Sequence, residues 1–458
     1  MSGGIRERMR LLRGQGSSER ESATAGNDTE EVLEAAVSGG DAGNESVGAV
    51  APTVLDAPDA ASNAGASLLS PEWDALQVTL RENEYGEYLL RRVTYPLGHR
   101  HGDHRLSELA EAAPHLAAFH EGEAEAPEME RLLFLDLETT GLGVGTGNVP
   151  FMTGIAYVDD GSFVVEQVLI RHPAEERAML ADLKERLGVR PYLVTYNGRT
   201  FDWPVLAGRY IMNGLGQYGS EPRHLDLLHP SRSVWRNTLV SCKLSHVEEE
   251  RLGIHRVDDL PGSLAPAIYF RFLSEGQPEL LQGVFHHNEL DMLALACLAV
   301  RFGRLLGGGL GDTVPYPTEP EELLRTGLWL ERMGRTAEAE TLFARLDGAE
   351  PAISWCLPLA ARDKKCGNWQ RAVLLWQKAA LAAEQTSMPH YEAHIELSMY
   401  YEHRAKDMEA ALQYASRALD QAVRRAGFAR HDPKSRAELA AIRKRLERLN
   451  RKAGRNHA

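Results

Sequence analysis

Cysteine is scarce in this chain: its four copies, Cys242, Cys297, Cys356 and Cys366, form no CxxC pair. That excludes a zinc ribbon and a disulfide framework, and the chain reads as cytoplasmic. Long hydrophobic runs are missing too. The longest, Met292 to Val300, is far short of the ~20 residues a membrane-spanning helix needs, so no membrane partner is expected. Arg6, Arg8 and Arg10 have no apolar stretch after them, which excludes a secretory signal. Positive charge is also in deficit, at a formal net of -14, and taken whole this argues against nucleic acid. The distribution reverses that argument. Residues 1–75 hold 13 acidic and 5 basic residues, whereas 421–458 hold 12 basic and 3 acidic, and 131–304 are near balance at 17 basic against 21 acidic. For a polyanionic partner the distribution matters more than the sum.

What is present suffices for sizeable cores: 43% hydrophobic and 25% charged residues over 458 positions suit two or three soluble domains. Residues 1–72 are rich in Gly, Ala, Ser, Asp and Glu and cannot bury enough apolar surface to offset their ordering entropy, so disorder is expected. Residues 73–130 read as an extension packing on the next domain, with a strand pair around Tyr85 to Tyr95 and a helix around Leu106 to Phe119. Residues 131–305 alternate strands and helices. Strands are expected at Leu132 to Leu137, Phe151 to Val158 and Phe163 to Ile170, with the turn Asp159-Asp160-Gly161 between the last two. Helix Ala174 to Leu187, strand Tyr192 to Tyr196, helix Trp203 to Asn213, a strand near His224 to Leu228 and a helix near Asn288 to Phe302 follow. Three meandering strands and then αβαβα give an α/β fold of RNase H-like order, a mixed sheet with flanking helices.

Residues 319–425 turn all-α and weakly repetitive. Ala339/Phe343/Leu346, Ala372/Trp376/Ala379 and Ala411/Ala415/Ala418 share one spacing pattern, at intervals that suit TPR-like helix pairs; a plain helical domain is the competing reading. Residues 426–458 form a basic helix, opened by Asp432-Pro433 with Ser435 and Glu438, whose Leu439, Ile442, Leu446 and Leu449 make one apolar stripe. That helix either grips a nucleic-acid backbone or caps the helical array.

Asp136 and Glu138 stand two apart on a strand, so both side chains leave one face. A core-facing position is an expensive place for two acids, although a solvated strand end or a glycosidase pair would account for the two alone. Asp202, in Tyr196-Asn197-Gly198-Arg199-Thr200-Phe201-Asp202, falls where a strand hands over to a helix. It reads either as a helix N-cap or as a functional group at the edge of an α/β sheet. His286-His287-Asn288-Glu289-Leu290-Asp291 opens the last helix of the domain.

These three segments, DLET, YNxxxFD and HNxxD, resemble the exonuclease motifs of the DEDD superfamily. With His224-Leu225-Asp226-Leu227-Leu228-His229-Pro230, Ser241-Cys242-Lys243-Leu244 and Asp258-Asp259-Leu260-Pro261-Gly262 they look like the YprB-type RNase H-like proteins, over roughly residues 76–302. The resemblance implies a 3′–5′ exonuclease with Asp136, Glu138, Asp202 and Asp291 as ligands of two divalent cations, Mg²⁺ or Mn²⁺. Hard oxygen donors suit those ions, and two ions about 3.5–4 Å apart stabilise the attacking and leaving oxygens of a phosphodiester. It also implies Thr139 and Asn197 as substrate-binding residues, and nucleic acid with a free 3′ end as substrate. DNA and a repair role are favoured over an exoribonuclease. The other functional class is a TPR-based scaffold recruiting a helicase or repair factor, with little nuclease activity of its own.

Two histidines compete as general base. By resemblance the base lies five residues ahead of the last aspartate as His, or four ahead as Tyr. Within a helix, His287 lies about 40° from Asp291 around the axis and His286 about 140°, so His287 is favoured; His286 remains the alternative if the helix begins later. The run Gly141 to Gly147 fits no nucleotide loop, since no Lys-Ser/Thr follows, and reads as a loop beside the substrate. His99, His101 and His104 read as a polar turn, and Asp226 as a structural acid. Arg209, Arg232, Arg236 and Lys243 are surface candidates for phosphate contact.

Overall fold

The computed structural model describes residues 69–120, 125–216 apart from 142, 144 and 146, 222–428 and 433–456. The disorder expected for 1–72 therefore lies almost wholly outside the described residues, as do parts of the Gly141 to Gly147 loop and Asp432.

One seven-stranded mixed sheet organises residues 78–226. Its strands are β1 (Val78–Asn83), β2 (Gly86–Pro96), β5 (Leu132–Thr139), β6 (Pro150–Asp159), β7 (Ser162–Leu169), β8 (Tyr192–Thr195) and β9 (Arg223–Asp226), in the order β1-β2-β7-β6-β5-β8-β9. The two-residue strands β3 (Arg100–His101) and β4 (His104–Arg105) form a separate hairpin. The turn between β6 and β7 is as tight as its sequence asks. Asp160 and Gly161 both take positive φ, the geometry that matches the twist of a two-residue hairpin.

The N-terminal extension differs from expectation. The strand pair begins at Val78, and β2 is long enough to pair with β1 on one edge and β7 on the other, so residues 78–96 extend the main sheet. Residues 106–119 form an irregular helix whose only α-helical stretch is Leu109–Ala112.

Helices cover both faces of the sheet. With short α1 (Pro71–Ala75) and α2 (Leu109–Ala112) counted, α3 (Glu176–Val189) and α4 (Asp202–Met212) join Leu133, Leu135 and Leu137 of β5 in one core. Leu132 and Phe134 point the other way, into the core built with α8 (Gln282–Leu306). Between them in sequence come α5 (Leu228–Trp235), α6 (Leu244–Arg251) and α7 (Ala265–Glu275). The alternation along β5 decides the rest: Asp136 and Glu138 share the parity of Leu132 and Phe134, so they face α8.

A helical region follows: α9 (Pro320–Arg332), α10 (Thr336–Arg345), α11 (Ile353–Cys366), α12 (Trp369–Gln385), α13 (Glu392–Tyr400), α14 (Met408–Phe428) and α15 (Pro433–Asn456). Ala339, Ala372 and Ala411, with their partners at the same spacing, are buried on α10, α12 and α14 (Leu346 in the turn just after α10), where each helix packs on its predecessor. The region is fastened to the sheet domain through α9, where Glu322 accepts from the Trp235 indole and the Arg251 guanidinium at 2.9 Å each. Arg445, Arg448 and Lys452 of α15 all turn onto the buried Glu402, while Ile442 and Leu449 pack on the alanines of α14. Among the described residues no helix is long and apolar enough to cross a membrane.

Candidate active site

Three elements bring the acids together. Asp136 and Glu138 stand at the C-terminal end of β5, and β8 runs parallel beside it. The chain leaves β8, turns through residues 196–201 and enters α4 at Asp202, at the edge of the sheet where α/β folds gather functional groups. Asp291 reaches the same face from α8.

Two local expectations change. Asp202 is the first residue inside α4, not its N-cap; Phe201 holds the cap position and offers no side-chain bond. The carboxylate is buried at 4% exposure. The last helix begins at Gln282, six residues before Asn288, so His286 and His287 both lie inside it. The helical geometry then separates them. His287 faces Asp291, with Nε2 at 3.6 Å from its carboxylate, while His286 is exposed beside Gln77 and Gln282 in a different pocket.

The electrostatics are those of a crowded anionic site. Burial, then the Asp291, Glu138 and Asp202 carboxylates, lift Asp136 well above the usual carboxylate range, although part of its surface stays open to the cleft; one bond from Asn288 Nδ2 at 3.0 Å opposes this. Burial pushes Glu138 up to about 7, with His287 opposing and Asp291 and Asp259 adding to the shift. Burial, then Asp226 and Glu138, push Asp202 up to about 8. Each acid is within electrostatic reach of others, yet among the described residues no group of three His, Cys, Asp or Glu side chains is gathered tightly enough to hold a metal ion. Asp291 is drawn aside by an ion pair with Arg256. The donor chemistry, oxygen-only carboxylates whose mutual repulsion is only partly offset by Arg256, His287 and Asn288, fits a hard divalent cation.

Several neighbours set the geometry without having been given a role from sequence. Arg256, in the loop after α6, clamps Glu248 with both arms at 2.6 and 2.7 Å, meets Asp259 at 2.9 Å and pairs with Asp291. Asp259 receives His287 Nδ1 at 2.9 Å. Burial resists ionisation of Asp259, but bonds from Arg256 and His287 hold it below the usual carboxylate value. Asn288 spans the face: its amide nitrogen serves Asp136, and its oxygen accepts from Gln167 at 3.0 Å. Gly154, opposite Asp136 on β6, makes room for it, since a Cβ there would lie 1.9 Å from Asn288 Oδ1. A lone glycine inside the apolar strand Phe151 to Val158 is the signal that announces such close approach. Gly262 plays the same part for His287, with a Cβ site 2.9 Å from Nε2.

Of the substrate candidates, Thr139 is buried and donates to the Gly141 carbonyl at 2.7 Å. Asn197 takes φ 73, and its side-chain oxygen accepts from Thr200 at 2.6 Å. Asp226 organises that turn by accepting the backbone N–H groups of Asn197, Arg199 and Leu228 at 2.9, 3.0 and 3.1 Å. Arg209 is taken by Glu176. The His99–His104 segment is a hairpin turn whose Asp103 N–H bonds Leu252 and so props the Arg256 loop.

This sheet order, with helices on both faces and acids at the strand ends, is that of an RNase H-like protein, and residues 133–302 match the model of the RNase H superfamily. Such a domain points to a nuclease, a class that generally uses divalent metals. The chain is 36% identical over 364 residues to the uncharacterized protein YprB of Bacillus subtilis (strain 168), covering 77% of this chain and 85% of that protein. It belongs to the YprB family.

Proposed function

We propose that the chain is a metal-dependent 3′–5′ exonuclease that hydrolyses phosphodiester bonds in nucleic acid, DNA being the favoured polymer and repair its setting. The observation that carries the reading is the set of four acids gathered within electrostatic reach at the C-terminal end of β5, beside a histidine already braced by an aspartate. Asp136, Glu138, Asp202 and Asp291 would hold two Mg²⁺ or Mn²⁺ ions, which when bound acidify water and neutralise charge on the leaving oxygen. His287 takes the proton of the attacking water at Nε2. Asp259, accepting from Nδ1, fixes the ring orientation and the tautomer that leaves Nε2 its lone pair. Asn288 holds Asp136 in place from behind. Polarity rests on the resemblance to DEDD exonucleases, and the preference for DNA and repair on the resemblance to YprB-type proteins. The paired helices after residue 319 support a TPR-like surface for a helicase or repair partner. The test is degradation of single-stranded DNA and RNA by the purified chain with Mg²⁺ or Mn²⁺, beside EDTA, Asp136→Ala and Asp291→Ala. Loss in all three supports the reading. Unchanged degradation by either variant overturns the site, and an inactive wild type with both metals overturns the enzyme.

A further inference from the structure

A second recess lies behind the turn that carries Asp202. Its volume is about 330 Å³, and it opens between the sheet domain and α9, the first helix of the helical region. Phe119, Trp329 and Met333 form an apolar floor, and Arg199, His229 and Arg332 stand around it. Arg199 and Arg332 are exposed, and neither guanidinium has an ion-pair partner among the described residues. Asp226 also lines the recess, but three backbone N–H groups already occupy its carboxylate. Two unpaired guanidinium forks over a half-buried aromatic ring are the combination that holds a nucleic-acid strand, phosphates on the arginines and a base against the ring.

We propose that this recess is a second binding site for single-stranded nucleic acid, with Arg199 and Arg332 on backbone phosphates and Phe119 under a base. The proposal rests on the nuclease reading and deepens it. The recess and the proposed active site flank the same turn: Asp226 anchors the backbone of Arg199 on one side and Asp202 begins α4 on the other. A strand held here by α9 and the turn together would present its end to the acids. The helical region thereby completes a substrate site, since Arg332 and Trp329 both belong to α9.

The test is fluorescence anisotropy of a labelled oligothymidylate with the full chain in EDTA, as a function of salt, for wild type, R199Q, R332Q and the double variant. Both side chains are exposed, so the variants should fold, with circular dichroism as the check. Each single variant should bind about three- to tenfold more weakly, and the slope of log affinity against log salt should fall by about 0.7 per arginine. The double variant losing about twice that slope supports the proposal. An unchanged slope, or no measurable binding by wild type, overturns it. If wild type still degrades nucleic acid in the metal assay, only the recess fails; if it neither binds nor degrades, the nuclease reading falls with it.

Discussion

Replacing Asp202 by asparagine should make the metal-free protein more stable, although the residue is proposed as essential. Its carboxylate is almost fully buried, and burial with the Asp226 and Glu138 charges pushes it up to about 8. Folding therefore favours the protonated acid. The burden is absent below about pH 4, grows as pH rises, and levels off above about pH 8. At ~1.4 kcal/mol per tenfold in proton affinity, this span corresponds to about 5 kcal/mol. The asparagine must settle its own amide donors in the same site, at about 1–3 kcal/mol, which leaves a gain of about 2–4 kcal/mol. In EDTA at pH 8 the melting temperature of D202N should exceed that of wild type by about 5–10 °C, and the gap should close at pH 4. Mg²⁺ or Mn²⁺ should raise wild type towards the variant while moving the variant little. A D202N protein no more stable than wild type in EDTA at pH 8, or a gap independent of pH, would refute the reasoning.

Three further outcomes follow from the same geometry. His287→Ala should lower turnover by about 10²–10⁴-fold and Asp259→Asn by about 10–100-fold, with the pH–rate profile of the latter displaced, whereas His286→Ala should change neither. Gly154→Ala should cost about 1–3 kcal/mol in denaturant melts, because its Cβ meets Asn288 and breaks the bonds to Asp136 and Gln167. Gly262→Ala should reduce activity with little change in melting temperature, since the new methyl presses on His287 Nε2 at a partly exposed loop.

Much of the fold was legible because it is written locally. The apolar strand around Asp136, the two-residue turn at Asp160-Gly161 and the helical tail each follow from pattern and turn chemistry. The parity of β5 alone puts Asp136 and Glu138 on one face. What sequence could not show is long-range. Strand β2 pairs with β7 at a sequence separation of 66 or more at every register position, and nothing in residues 86–96 signals a partner so distant. Helix α8 starts at Gln282, six residues ahead of the expected start near Asn288. Arg256 is one charge in a polar loop. Only the packed structure reveals that it meets Glu248, Asp259 and Asp291 together. Asp202 looked like a cap because a short acid before an apolar helix usually is one.

The most direct measurement is the time course on a single-stranded DNA labelled at its 5′ end, then at its 3′ end, with Mn²⁺ and purified full-length chain. The account predicts a ladder of progressively shorter fragments from the 5′-labelled strand, early release of mononucleotide from the 3′-labelled one, and neither with Asp136→Asn or Asp291→Asn. Internal cuts without stepwise shortening, release from the 5′ end, or activity that survives both substitutions would contradict it.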